Sequence, residues 1–246
     1  MQNYKMILQY EGTRYQGWQR QDSTENTIQG KMETLLTKMC GHKVEVQGSG
    51  RTDAGVHAKG QVMNAHMDTK MSTDEILAYI NQYLPDDIGV VSVKKVPERF
   101  HSRLLVKEKT YCYRVINSSI PHVFDRRYAY SFPEKLNMES MKKAAEKLQG
   151  THDFAAFTSL KRTKKSTVRT IREIRIEKEG DIISFTFTGD GFLYHMIRII
   201  MGTLLEVGTD KRNPDDMEQI FSSKEREKAG MLVPAMGLTL LTVKYD

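Results

Sequence analysis

Residues 48–58 place the tightest limits on how this chain can fold. They read Gly-Ser-Gly-Arg-Thr-Asp-Ala-Gly-Val-His-Ala, with three glycines and a single bulky apolar side chain, Val56. Such a run suits neither a core strand nor a stable helix, because glycine favours backbone conformations that other residues avoid. The run therefore predicts a tight loop of fixed shape that contains Asp53.

Two interpretations of the Asp53 side chain are open at this point. In the first, Asp53 is a turn aspartate that caps its own backbone, which is the common role of aspartate in turns. In the second, a rigid loop presents the carboxylate at the floor of a cleft, where binding and catalytic groups often lie. Spacing alone favours the first interpretation. Arg51, two residues earlier, places a positive charge in the same loop.

The first half of the chain predicts the order strand, helix, strand, strand, helix, strand. Asn26 is a candidate cap for a helix that starts at Thr27, and Ser72 with Glu75 forms a capping-box pattern before the second helix. This order is that of a ferredoxin-like unit. Alternating or continuous apolar residues predict four strands. The second begins at Val44 and runs into the Asp53 loop, and the other three cover residues 4–10, 60–67 and 90–96.

The second half repeats this order loosely. A strand is predicted over 110–116, a helix after Asn137, a hairpin over 171–188, an apolar helix over 192–207 and a closing strand over 238–243. Two such halves predict an α+β fold in which one long, mainly antiparallel sheet is shared. The predicted halves are residues 1–100 and 101–246, with a cleft between them.

Arg198 lies within the predicted apolar helix. A buried guanidinium without an anionic partner would cost several kcal/mol, so this arginine needs a carboxylate. A structural ion pair with any carboxylate would satisfy it. Our interpretation is that the partner is Asp53, because a nearby positive charge lowers the pKa of a carboxylate and would keep it ionised despite burial.

Two basic clusters predict contact with a polyanion. The chain carries a formal net charge of +6, which by itself is weak evidence for such a partner. Individually these residues are typical of solvated loops, whereas as clusters they suit phosphate contacts that position nucleic acid without reading bases. The larger cluster contains Lys161, Arg162, Lys164 and Lys165, followed by Arg169, Arg172 and Arg175, and the smaller contains Arg99, His101 and Arg103.

The remaining composition predicts a cytoplasmic protein, and the sequence offers no motif for a nucleotide cofactor or a metal. Cys40 and Cys112 have no metal-binding spacing and are expected to be reduced thiols. No apolar run approaches membrane length, and no membrane association is expected. No glycine-rich phosphate motif or cluster of metal ligands accompanies Asp53. His57 is interpreted as a structural loop histidine.

Four segments together resemble one known family. The run Gly-Arg-Thr-Asp-Ala-Gly-Val-His at 50–57 resembles the signature of the tRNA pseudouridine synthase A family. The segments 10–21, 109–114 and 191–198 match the same family in the same order. The resemblance extends over the whole chain, and an eight-residue match followed by three ordered matches is highly specific.

The resemblance implies a pseudouridine synthase fold, isomerisation of uridine to pseudouridine at positions 38, 39 and 40 of the tRNA anticodon stem-loop, and a homodimer. It makes Asp53 the nucleophile acting on a flipped-out base, places Tyr111 over that base, and gives Arg198 the role of partner to Asp53. Arg51 is expected to bind substrate beside Asp53. Both basic clusters match places where the family touches tRNA. The larger one holds more lysine than the family leads us to expect, which leaves its individual contacts open.

Two other function classes fit the sequence less well. A non-catalytic RNA-binding protein of two RNA-recognition-like halves would suit the alternating Phe185 and Phe187, but the surrounding residues lack the basic-glycine-aromatic signature of that module. A metal-dependent nuclease needs several clustered carboxylates, whereas Asp53 stands alone in its loop.

Overall fold

A computed structural model describes residues 1–160 and 166–245. The chain divides into two compact units. The first comprises Met1–Lys107 and Thr239–Asp246, and the second comprises Glu108–Leu238. The sequence-based division between residues 100 and 101 compares with an observed division after Lys107, and the last strand returns to the first unit.

The first unit has the predicted element order. The elements are β1 (Gln2–Tyr10), α1 (Ile28–Cys40), β2 (Val46–Gly48), β3 (His57–Met67), α2 (Thr73–Tyr83), β4 (Ile88–Lys95) and β10 (Leu238–Lys244). The strands pair antiparallel in the order β4-β1-β3, β2 pairs antiparallel with β3, and β10 pairs parallel with β3. The helices α1 and α2 connect the strands as in a ferredoxin-like unit.

The helix termini in this unit follow local capping chemistry. The predicted cap Asn26 is wrong by one residue, because the Thr27 hydroxyl accepts from the Gly30 backbone N–H at 3.2 Å. Gly41 ends α1 with φ at 72°, a conformation that glycine adopts without a steric penalty. The predicted capping box of α2, between Ser72 and Glu75, is confirmed.

The core of the first unit comes from periodic apolar positions. Alternate β1 side chains, including Met6 and Leu8, are fully buried. The α1 stripe of Ile28, Met32 and Leu36, at four-residue spacing, is buried as well. These are the periodicities from which the strand and the helix were predicted.

The second unit contains the elements β5 (Glu108–Ile116), β6 (Tyr130–Ser131), α3 (Met138–Leu148), β7 (Gly150–Asp153), β8 (Val168–Glu179), β9 (Ile182–Gly189), α4 (Met196–Gly208) and α5 (Met217–Ser223). Its strands pair antiparallel in the order β5-β9-β8-β7, with β6 parallel to β5. A 3₁₀ turn over Pro214–Asp216, capped by Asn213, precedes α5.

The predicted start of the apolar helix at Phe192 is wrong. The helix α4 begins at Met196, because His195 adopts a left-handed conformation with φ at 64° and breaks the helical path. From Met196 onward nearly every residue of α4 is buried, as predicted. Arg198 therefore lies in the first turn of α4 and is half-buried, not enclosed in mid-helix.

The predicted α+β class with mainly antiparallel strands is confirmed. The cleft between the two halves stays a prediction. Among the described residues, no helix is long and apolar enough to cross a membrane.

Candidate active site

Asp53 begins a tight turn in the first unit. The Val56 backbone N–H donates to the Asp53 carbonyl at 3.2 Å, and Gly55 has φ at 80°. A positive φ at the third position is what a type II turn requires, and glycine supplies it. The turn fixes the Asp53 backbone and leaves its side chain partly exposed. The predicted tight loop is thus confirmed, while the role of its carboxylate stays a prediction.

The residues on both sides of Asp53 are held by the segment that follows β1. The Trp18 backbone N–H donates to the Thr52 carbonyl at 3.0 Å, and the Thr52 hydroxyl lies 2.8 Å from the Tyr10 hydroxyl. The Gly55 N–H donates to the Tyr15 carbonyl at 3.3 Å. Burial raises the pKa of Tyr10 to about 12, so this hydroxyl stays protonated at neutral pH.

Two glycines permit this close approach of backbones. A Cβ atom at Gly12 would lie 2.0 Å from the Val56 carbonyl oxygen, and one at Gly17 would lie 2.6 Å from that of Thr52. Gly17 also has φ at 87°. Trp18 is buried and packs beside Gly48, where a Cβ atom would lie 2.5 Å from its ring. The buried ring of Trp18 therefore anchors this part of the loop.

His57 has a structural role in this loop. The ring is 2 % exposed, and its Nδ1 accepts from the Gly12 backbone N–H at 2.9 Å. The Glu11 carboxylate also lies 3.4 Å from Nδ1. Because a nitrogen that accepts a hydrogen bond carries no proton, the neutral tautomer with the proton on Nε2 fits the site. This supports the interpretation of His57 as a structural residue.

The second unit contributes two tyrosines on one face of β5. Tyr111 is 8 % exposed, and its ring packs edge-on against that of Phe192 with centroids 5.4 Å apart. Tyr113 is fully buried, and its hydroxyl donates to the Pro234 carbonyl at 2.8 Å. Burial raises the pKa of Tyr113, and the nearby positive charge of Arg198 opposes this shift. Tyr113 is therefore a packing residue, and the placement of Tyr111 over a base stays a prediction.

Arg198 is oriented by the chain that crosses α4. Its Nε donates to the Val233 carbonyl at 2.8 Å, and the Arg198 carbonyl accepts from the Val233 N–H at 3.5 Å. One edge of the guanidinium is fixed in this way. Arg51 is exposed beside Asp53 in the first unit. The pairing of Arg198 with Asp53 and the binding of substrate by Arg51 stay predictions.

The smaller basic cluster lies on a segment in which hydrogen bonds hold every second residue. Its intervening residues are held inward, because the Asn3 amide donates to the Phe100 carbonyl at 2.9 Å and the Tyr245 hydroxyl donates to the Ser102 carbonyl at 2.7 Å. Arg99 and Arg103 are exposed, and the ring of His101 accepts from the Arg103 N–H at 3.1 Å. The two arginines present charge outward, while His101 stabilises the turn.

The larger basic cluster lies mostly outside the described residues. Lys161, Arg162, Lys164 and Lys165 belong to the part of the chain that the structure does not describe. The Arg169 guanidinium donates to the carbonyls of Ser166 and Val168, at 3.0 and 2.6 Å.

Two further arginines of β8, which we had grouped with Arg169, have carboxylate partners. Arg172 lies 2.7 Å from Glu108, and Arg175 lies 3.3 Å from Glu177. Because carbonyl groups carry no net charge, Arg169 keeps its positive charge for an outside anion, whereas Arg172 and Arg175 are largely neutralised.

Sequence reasoning missed the residues that support the loop. The sequence gives Tyr10 and Tyr15 only as ordinary tyrosines of a strand and a loop. Gln61 likewise looks like a plain strand residue, although its amide donates to the Gly50 carbonyl at 3.2 Å. The only sequence signal is a polar Gln61 on a strand whose neighbours are buried. Within the described ranges, no three His, Cys, Asp or Glu side chains are grouped closely enough to hold a metal ion.

Comparison with known sequences gives one consistent result. A family model described as tRNA pseudouridine synthase matches residues 6–103 and 144–246, more than half of the chain. A tRNA pseudouridine synthase A from Bacillus sp. (strain KSM-64) is 46 % identical, and a tRNA pseudouridine synthase A 1 from Clostridium tetani (strain Massachusetts / E88) is 49 % identical. Both alignments cover 100 % of each chain. Among solved structures, a Cbf5-Nop10-Gar1 complex matches 72 % of this chain and 40 % of the other, with 13 % identity and a TM-score of 0.37.

Proposed function

The chain belongs to the tRNA pseudouridine synthase family, and from that premise we propose that it converts uridine to pseudouridine in the anticodon stem-loop of tRNA, at positions 38, 39 and 40, with Asp53 as the nucleophile. Membership makes it an isomerase that acts on tRNA. The target positions and the role of Asp53 are our inference. The observation that carries it is the fixed turn that presents the Asp53 carboxylate between buried anchors.

The reaction requires that the protein position the substrate and supply one carboxylate. A stacked uracil is out of reach, so the base must first leave the stack. Asp53 then attacks either the ribose C1′ or the uracil ring, and the N1–C1′ bond breaks. The base turns, C5 bonds to C1′, the bond to Asp53 breaks and frees the carboxylate, the C5 proton leaves and N1 gains a proton. Because substrate and product are isomers, no electron or phosphate is transferred, and we expect no cofactor.

The other site residues have supporting roles in this proposal. Arg198, with one edge fixed by Val233, would hold Asp53 ionised through its positive charge. Tyr111 would steady the extruded uracil by ring contact, and Arg51 would bind substrate beside the nucleophile. Arg99, His101, Arg103 and the cluster around Arg169 would contact phosphates. The exposure of Arg99 and the bonding of Arg169 to uncharged carbonyls support this for those two, whereas the bonded His101 ring supports it less.

The deciding experiment uses the variant Asp53→Asn. Unmodified tRNA transcripts are treated with each protein, and pseudouridines are mapped by sequencing. The wild type is expected to modify positions 38, 39 and 40, and Asp53→Asn to modify none while its affinity for tRNA stays within about threefold. Modification by Asp53→Asn at the wild-type rate would refute the role of Asp53. Modification at other uridines would refute the proposed target.

Oligomeric state and location complete the proposal. Relatives of this chain act on tRNA by name, and we infer a homodimer in the cytoplasm on the basis of the family resemblance. Light scattering of the purified protein tests the first point: a mass near twice 28.3 kDa is expected, and a monomer at micromolar concentration would contradict it.

A further inference from the structure

An aromatic pair whose tyrosine is exposed precedes α4 and has no part in the function proposed above. The rings of Tyr194 and His195 stack with centroids 3.7 Å apart and planes inclined by 28°. Tyr194 is 49 % exposed, although its neighbours Leu193 and Met196 are buried. A half-exposed tyrosine that is supported by a second ring is a flat, preformed surface of the kind on which nucleotide bases stack.

The turn that presents this pair is held by several bonds. The Tyr194 carbonyl accepts from the Thr158 hydroxyl at 2.9 Å and from the Ser159 N–H at 3.4 Å, and His195 Nδ1 lies 2.9 Å from the Ser159 hydroxyl. His195 has φ at 64°, a conformation costly for a residue with a Cβ atom. Such strain persists where the surroundings over-determine it, and it is common at ligand-binding sites.

A positive charge lies beside the turn that carries the pair. A Cβ atom at Gly191 would lie 3.9 Å from Nε of Arg169, so this guanidinium is close to the turn. An exposed aromatic ring near a cationic group is the combination that single-stranded nucleic acid requires.

We propose that the stacked pair of Tyr194 and His195 is a platform for one base of the RNA substrate, and that Arg169 binds the phosphate next to that base. The inference rests on the proposed function only in taking tRNA as the ligand. The base on this platform is a different one from the uracil at Asp53, and the platform contributes affinity without taking part in the chemistry.

The test compares the affinities of Tyr194 variants for an unmodified tRNA transcript, measured by fluorescence anisotropy. A lost stacking contact corresponds to about a fivefold to hundredfold weaker dissociation constant, which is expected for Tyr194→Ala. Tyr194→Phe and Tyr194→Trp keep a ring and are expected to stay within about twofold of the wild type. The matched control is Tyr83→Ala, which removes a similar ring from the first unit. Tyr83 is 54 % exposed, and its ring centroid lies 4.7 Å from that of Tyr79.

Equal affinity of Tyr194→Ala and the wild type would overturn the proposal, as would a Phe variant as weak as the Ala variant. A second measurement does not depend on truncating the ring. Transcripts carrying 2-aminopurine at single unpaired positions are bound to the wild type and to Tyr194→Phe, and quenching at one position with both proteins is expected. Quenching at none would overturn the proposal. Pseudouridine formation by the wild type is assayed separately, so failure of the proposed reaction is told apart from failure of the platform.

Discussion

Arg198 donates from Nε to the backbone carbonyl of Val233 at 2.8 Å, which fixes one edge of its guanidinium before any substrate binds. The next carbonyl along, that of Pro234, accepts the Tyr113 hydroxyl at 2.8 Å. The same short segment therefore ties the first turn of α4 to β5. An arginine held in this way has its remaining donors preoriented, which is the condition for strong electrostatic support of a carboxylate.

Arg198→Lys tests this orientation. Lysine keeps the positive charge, but its single ammonium group cannot donate to Val233 and also present a forked edge to a carboxylate. We expect kcat for pseudouridine formation to fall about a hundredfold, the usual scale for loss of one oriented electrostatic group, with a small change in tRNA affinity. Single-turnover kinetics on a tRNA transcript measure this.

The matched control for that variant is Arg212→Lys. Arg212 contacts the Glu206 carboxylate through Nε and Nη2, at 2.9 and 2.8 Å. The control variant therefore removes a two-donor arginine contact from the same unit. Activity within about twofold of the wild type is expected there. Full kcat in Arg198→Lys would show that the fixed edge is irrelevant to the reaction.

The shape of the Asp53 loop depends on Gly17. In Gly17→Ala the new Cβ meets the Thr52 carbonyl oxygen at 2.6 Å and the residue keeps a positive φ, so the loop backbone must move. Gly41→Ala shares the positive φ, with nothing within 4 Å of the Cβ. Both variants are expected to lose about 1–2 kcal/mol of unfolding free energy from backbone strain, and Gly17→Ala about 1–3 kcal/mol more from the clash.

Urea unfolding and kinetics separate the two glycine variants. Activity at a temperature where both proteins are folded should fall at least tenfold for Gly17→Ala and stay near the wild-type value for Gly41→Ala. Equal activity of the two would mean that the position of the loop does not control the reaction.

Local sequence signals predicted much of this structure, and long-range contacts account for the rest. The α2 capping box and the β1 alternation are encoded in adjacent residues, so both were predicted. The start of α4 was not, because Phe192 and Leu193 continue its apolar pattern and the turn at His195 depends on bonds from Thr158 and Ser159. The short strand Gly150–Asp153 has too few residues to show alternation and forms only by pairing with β8.

The same division applies to the site. The glycines of residues 48–58 predicted a rigid loop, since their conformational freedom is a local property. The anchors Tyr10, Tyr15 and Trp18 reach it from a distant part of the chain, so no spacing in the sequence pairs them with it. For the same reason the sequence grouped Arg169 and Arg172 together, although Glu108 neutralises only the second.

The difference between Arg169 and Arg172 predicts different salt dependence of tRNA binding. Arg169 donates to carbonyls and keeps its charge, so Arg169→Ala should weaken binding and reduce the slope of log affinity against log salt by about one. Arg172→Ala removes a charge that Glu108 already offsets and should leave the slope within about 0.3 of the wild-type value. Filter binding at several salt concentrations measures both, and equal slopes would contradict the assignment.

Tyr10 predicts how the first unit responds to alkali. Burial raises the pKa of its hydroxyl from 10.0 to about 12 in the folded state. Between these values the unfolded chain loses the proton while the folded protein keeps it, so folding stability is complete below pH 10 and falls as the pH rises toward 12. The slope from this one residue approaches about 1.4 kcal/mol per pH unit.

Tyr10→Phe removes that titration together with the hydrogen bond to Thr52. The variant should be less stable than the wild type at pH 8 by about 1 kcal/mol, and the difference should shrink and reverse as the pH rises from 10 to 12. Thr52→Val removes the same hydrogen bond but keeps the titrating hydroxyl, so its stability should run parallel to that of the wild type. Urea midpoints at each pH give the curves. A constant difference between Tyr10→Phe and the wild type would show that the hydroxyl titrates alike in the folded and unfolded states.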